Sequence, residues 1–270
     1  MNSIKKMMLS GALGCLISGM AYADGSSPQP VQPYWQDIQV VAVNKEKPRS
    51  SFMSYADRET ALTSRFEKSP YYSLLNGTWK FFFVDSYKDL PQNITDPSVN
   101  TSSWDDITVP GNWEVQGHGV AIYTNHGYEF KPRNPQPPLL PEANPVGVYR
   151  RDIEIPASWD NRDIYLHIGG AKSGLYVYLN GKEVGYSEDS KNPAEFLINK
   201  YLQPGKNVLT LKIFRWSTGS YLECQDFWRM SGIERDVFLW SQPKASIQDF
   251  RVVSTLDDTY TNGIFKLAVD

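Results

Sequence analysis

The sequence predicts an all-β chain: a jelly-roll sandwich over residues 74–242, then the first strands of an immunoglobulin-like sandwich over 243–270. Three observations carry that class. Short runs rich in Val, Ile, Phe, Tyr and Trp alternate with polar residues and recur at short spacing, with Gly, Pro, Asn and Asp between them. No segment keeps the 3.6-residue apolar spacing of a long amphipathic helix, and no internal repeat is present. Aromatics make up 13% of the 270 residues, eight of them Trp, which suits side chains packed between sheets.

Residues 1–23 read as a secretory signal: Lys5 and Lys6, an apolar stretch over 7–20, then Ala21-Tyr22-Ala23 as a small-residue cleavage site. Export across the inner membrane, to the periplasm or beyond, is the expected outcome. A lipid anchor on Cys15 is the weaker reading, because Ala12 fits poorly three places before it. Cleavage leaves Cys224 as the sole cysteine, so no intrachain disulfide forms, and Cys224 is expected as a small buried apolar residue. Residues 24–73 read as a linker and N-terminal arm. The part up to 34 is rich in Pro and Ser; the rest is irregular and polar, fit to wrap a neighbour, with a short helix or turn within 57–67.

The first sandwich strand is 78–84, with Trp79, Phe81 and Phe83 on one face. Residues 107–109 are short and apolar, and Pro110-Gly111 ends them. Residues 119–146 form a long loop with six prolines between 132 and 145, which excludes helix and central strand there. Strands follow at 147–155 and 163–168. A hairpin joins 174–179 to 182–186 through Asn180-Gly181, the type I′ pair. Further strands are read at 195–198, 208–216, 236–240, 245–254 and 264–269. The strand pattern runs up to Asp270 with no closing partner, so a longer polypeptide is expected.

Residues 220–240 place Asp226 beside Phe227 and Trp228, ahead of Ser231-Gly232 and Arg235-Asp236. Bulky aromatics next to a lone carboxylate must either pack or face a ligand. Gln225-Asp226-x-Trp228-Arg229-x-Ser231-Gly232-Ile233-x-Arg235-Asp236-Val237 resembles the loop that closes the first β domain of family 2 glycoside hydrolases, in their β-galactosidase form. Pro110-Gly111-Asn112-Trp113, Tyr123-Thr124-Asn125 and Glu142-x-Asn144-Pro145-x-Gly147 stand in the order of that family. The resemblance spans 74–270 and implies a galactose-binding-like jelly roll that completes a sugar pocket. It implies that Asn125 and Asp226 hydrogen-bond sugar hydroxyls and that Asp226 ligates sodium. An amide offers donor and acceptor, and a carboxylate offers oxygen to a hard cation. The implied partner is a β-galactoside or galactose-containing glycan; magnesium and a homo-oligomer belong to the full-length enzyme. The two glutamates of the retaining mechanism sit in a later (β/α)₈ barrel of about 250 residues, so no catalytic residue is assigned here.

The residues themselves exclude other chemistry. A formal net charge of −3 argues against nucleic acid. No apolar run past the signal is long enough to span a membrane. His118, His126 and His167 lack metal-ligand spacing. His118 and His126 are expected at the surface and His167 as a packed strand position. Asp105-Asp106 and Glu188-Asp189 are neighbours that do not converge, and are read as solvated turns. Arg235-Asp236 is read as a structural brace. Beside the hydrolase reading stand a carbohydrate-binding module with an exposed aromatic platform and a purely structural sandwich. The chain alone is expected to be inactive.

Overall fold

Alternation of side chains sets the faces of two antiparallel sheets. The computed structural model describes residues 33–130 and 134–270; the signal segment, Cys15 and the start of the linker lie outside the described residues. In chain order the strands are β1 (Ala42–Val43), β2 (Tyr72–Leu74), β3 (Gly77–Val84), β4 (Asp105–Val109), β5 (Gly111–Asn112), β6 (Ile122–Thr124), β7 (Val146–Glu154), β8 (Arg162–Ile168) and β9 (Ala171–Lys172). They continue as β10 (Gly174–Leu179), β11 (Lys182–Ser187), β12 (Ala194–Leu197), β13 (Lys206–Phe214), β14 (Phe227–Arg229), β15 (Gly232–Ile233), β16 (Val237–Pro243), β17 (Phe250–Leu256) and β18 (Gly263–Val269).

A seven-stranded sheet, in the order β1-β11-β10-β13-β7-β3-β4, packs on a four-stranded sheet, β12-β8-β16-β2. The core between them holds Trp79 and Phe81 of β3, Tyr149 of β7, Leu211 of β13, Leu166 of β8 and Leu239 of β16, all essentially buried. Each such burial contributes about 1.5–3 kcal/mol. The outer face of the larger sheet is covered too: Val146, Val148, Tyr176 and Phe214 lie under Trp35 of the arm. That second cover is why 146–150 is buried on both faces instead of alternately buried and exposed. Asn180 and Gly181 take the expected positive φ values, 53° and 77°, at the β10–β11 turn. Strands β17 and β18 pair with each other. No helix of the described residues is long and apolar enough to cross a membrane.

The arm does wrap the sandwich. Strand β1 extends the large sheet by pairing with β11. The only α-helix among the described residues, α1 (Arg58–Leu62), falls in the expected window, and Asp57 caps it by accepting from Thr60 N at 2.8 Å. Arg49 grips Glu195 of β12 with two hydrogen bonds, 3.0 and 3.1 Å. Glu195 Oε1 also accepts from His167 Nδ1 at 2.8 Å and Trp240 Nε1 at 3.1 Å. His167 is packed, as read, and stacks on Phe238.

Burial by itself would raise the Glu195 carboxyl; the His167 and Arg49 donors outweigh it and hold the group below the ordinary 4.5. A depressed carboxylate gives stability that is complete above the unfolded value and is lost as pH falls through the folded one. Thermal stability should therefore fall below about pH 4.5, and Glu195→Gln should flatten that acid limb. An unchanged acid limb in Glu195→Gln would remove the arm clamp from this account.

Three readings need correction. Glu188 is not a solvated turn residue. It is 3% exposed and accepts from Tyr186 Oη (2.7 Å), Thr218 Oγ1 (2.7 Å) and Gly219 N (2.8 Å), donors that adjacent sequence does not reveal. His118 is not on the surface: its ring packs edge-on against Phe81, 4.8 Å between centroids, because the turn after Trp113 folds it inward. The Pro-rich loop is not wholly irregular, since its proline-free start forms β6.

Candidate functional site

Strands β6 and β14 make a two-stranded ribbon in which Tyr123 lies opposite Trp228 and Thr124 opposite Phe227. β-Branched and aromatic residues favour such a ladder. Opposed residues share a face and the period is two, so Asn125 and Asp226, one step past Thr124 and Phe227, fall on the face of Tyr123 and Trp228. The contacts agree. Tyr123 Oη donates to Asp226 Oδ1 at 2.7 Å, and the Tyr123 and Trp228 rings lie 5.7 Å apart. The hydrogen bond to Asp226 and its negative charge push the Tyr123 hydroxyl pKa up. Asn125 Oδ1 meets His126 Nδ1 at 2.8 Å. All four ribbon residues are exposed, Tyr123 and Trp228 at 54% and 55%. The two residues singled out in the sequence, Asn125 and Asp226, thus fall opposite each other where the ribbon register continues past Thr124 and Phe227.

The motifs around them act as supports. Trp113 is fully buried; its backbone N–H donates to Ser231 O, and its indole Nε1 donates to Tyr149 Oη at 2.5 Å. Gly232 has φ +112°, and a Cβ there would lie 2.7 Å from Gly111 O, so β5 can approach β15 only if the Ser-Gly-Ile centre is Gly. Asn144 exchanges hydrogen bonds with Trp216, 2.8 and 3.0 Å, and fixes the end of the Pro-rich loop. Arg235 and Asp236 brace separately: Arg235 donates to Gly169 O, and Asp236 accepts from Asn76 Nδ2 at 2.8 Å.

Beneath the ribbon lies a buried ionic network that sequence reading did not find. Lys172 pairs with Glu129 at 3.1 Å, both nearly inaccessible. Arg215 reaches Glu114 at 3.6 Å and Glu129 at 3.8 Å, and donates to Val120 O and Arg229 O, tying the entry of β6 to the end of β14. Burial raises the Glu114 carboxyl, against the pull of Ser231 N–H and Arg215. No local signal in the sequence marks this network, since each charge reads as solvated in its own neighbourhood. Cys224 is half-buried beside this network, and burial pushes its thiol up.

Among the described residues, no group of three His, Cys, Asp or Glu side chains converges as a metal site. Asp226 with the Tyr123 hydroxyl and the Asn125 amide is an oxygen donor set. It fits a hard cation in kind but not in number, so further oxygens must come from elsewhere.

A family model described as the sugar-binding domain of family 2 glycosyl hydrolases matches residues 72–243. The chain is 40% identical over 248 residues to a beta-galactosidase of Priestia megaterium, covering 91% of this chain and 24% of that protein. It is 38% identical to a beta-galactosidase of Psychromonas ingrahamii, covering 85% of this chain and 22% of that one. The chain therefore spans about a quarter of the length of these curated relatives or less. Among solved structures it is similar in fold to a beta-glucuronidase of Ruminococcus gnavus, with TM-score 0.56 and 22% identity over 74% of this chain and 33% of that one. A beta-glucuronidase of an uncultured Clostridium gives 0.54 and 23% over the same shares.

Proposed function

The chain belongs to family 2 of the glycosyl hydrolases, and from that premise we propose that it is the sugar-binding front of a retaining β-galactosidase. It supplies one wall of the galactose pocket, while the glutamates of the two-step displacement come from polypeptide outside this chain. The observation that carries this reading is the shared exposed face of Asn125 and Asp226. The Asn125 amide donates to and accepts from a hydroxyl pair; Asp226 accepts a hydroxyl proton. Tyr123 positions Asp226 by its hydrogen bond, which fixes the carboxylate before substrate arrives. Asp226 would also hold sodium, with the remaining oxygen ligands supplied by the substrate and by the rest of the enzyme; the cation would fix a sugar hydroxyl against the wall. No residue of this chain is assigned to magnesium. The reading of residues 1–23 as a secretory signal supports export of the enzyme across the inner membrane.

The test has two arms. The 270-residue chain alone should not hydrolyse an aryl β-galactoside. In the enzyme that contains it, Asn125→Ala and Asp226→Ala should each lower kcat/KM by about 10–100-fold at unchanged Tm, the loss of one strong hydrogen bond. Unchanged kinetics in both would end this reading. The exposed Tyr123–Trp228 pair favours one second reading, a glycan-binding module. Binding by the isolated chain that is lost in Trp228→Ala and kept in Asn125→Ala would select it.

A further inference from the structure

A separate cavity of about 400 Å³ lies between the arm and the outer face of the four-stranded sheet, and it shares no residue with the ribbon. Its volume falls in the about 300–1,000 Å³ range of small-molecule sites. We propose that this cavity binds a neutral hydroxyl-bearing aromatic ring, a ligand of the phenol class. This goes beyond the pocket-wall reading and does not rest on it.

The walls select the ring. Phe52 and Met53 of the arm, Phe66 of the turn after α1, and Phe238 of β16 surround the space, with His167 stacked flat on Phe238 at 4.2 Å. Aromatic walls favour a flat apolar body in offset or edge contact. The arm is tied beside the cavity at Glu46, Arg49 and Ser50. Glu46 N donates to Glu195 O and Arg49 grips the Glu195 carboxylate, while Ser50 binds Asp249 and Phe250 of the following segment. A ring seated against Phe52, Phe66 and Phe238 gains dispersion contacts with them.

The lining charges balance, which disfavours an ionic ligand. Lys45, Lys47 and Arg49 face the cavity with Glu46, Asp189 and Glu195, three cations against three anions. Glu195 is saturated by Arg49, His167 and Trp240, so the floor has no unmatched charge to offer. A charged guest would bring uncompensated charge into a largely apolar space. Asp189 and Lys47 are exposed at the mouth, where they can accept from and donate to a hydroxyl.

The probe is p-cresol, neutral at physiological pH, titrated into the full chain by calorimetry and by NMR. Saturable binding is expected, with shifts at Phe52, Phe66 and His167. Phe52→Ala should weaken it about tenfold by removing one ring contact. Ser51→Trp, at an exposed lining position, should block it while circular dichroism stays native. Asp226→Ala should leave it unchanged, so loss of the sugar site and loss of this site are told apart. Absence of saturable binding, binding indifferent to both cavity variants, or displacement of p-cresol by methyl β-galactoside would each overturn the proposal.

Discussion

Lys172→Ala is expected to destabilise the chain by about 3–5 kcal/mol, although it removes only one side chain. Lys172 and Glu129 are 2% and 8% exposed, and the ammonium is the close partner of Glu129 Oε1 at 3.1 Å. Removing it leaves a carboxylate whose nearest remaining cation is Arg215, 3.8 Å from the other oxygen. A buried charge without a partner is far costlier than the pair is favourable, because the desolvation cost stays while the attraction is lost. The control follows from the same reasoning. Lys172→Met combined with Glu129→Gln removes both charges and should recover most of the loss. Urea unfolding of the two variants beside the parent chain decides it. A cost below about 1 kcal/mol for Lys172→Ala would mean that water already reaches the pair. Glu129 is four residues beyond Asn125, so the single variant should also loosen the ribbon, seen as faster amide exchange over β6.

Trp113→Ala carries the second large effect, about 3–5 kcal/mol. The indole is fully buried against Phe81 and Phe83, with centroids at 6.0 and 5.7 Å. Deletion opens a cavity and leaves the Tyr149 hydroxyl without its indole donor in a site where burial has already pushed that hydroxyl far up. Trp113→Phe keeps a ring and loses the N–H, so it should cost less, about 1–3 kcal/mol. Similar losses for both variants would show that the hydrogen bond, not the packing, holds this end of the sandwich. The variant reaches the site because the Trp113 backbone holds Ser231, two residues after Arg229 of the ribbon.

Much of the fold was legible because its causes are local. Trp79, Phe81 and Phe83 alternate, so they declare one buried face. Asn180-Gly181 specifies its turn through backbone conformation alone. Asp57 marks the start of α1 with a side chain that satisfies a free N–H. Asn125 and Asp226 were found by motif resemblance. Nothing in their own neighbourhoods distinguishes a site residue from a turn residue.

Three features had no local signature. Glu188 was misread because its donors, Tyr186, Thr218 and Gly219, include two about 30 residues away. The strand at 122–124 was missed because three residues make a strand only when a partner supplies the other half of the ladder, and that partner is 227–229. The network of Lys172, Glu129, Arg215 and Glu114 was invisible because a charge reads as solvated until opposite charges from other strands surround it.

The sequence by itself determined the class of fold and the turns, since periodicity and backbone preference act between near neighbours, and its resemblance to a family named the two candidates. Only the tertiary structure decided that those candidates share one exposed face, which charges are buried, and that the arm encloses a cavity. Each of these depends on groups far apart in the chain meeting, and burial and pairing are properties of that meeting.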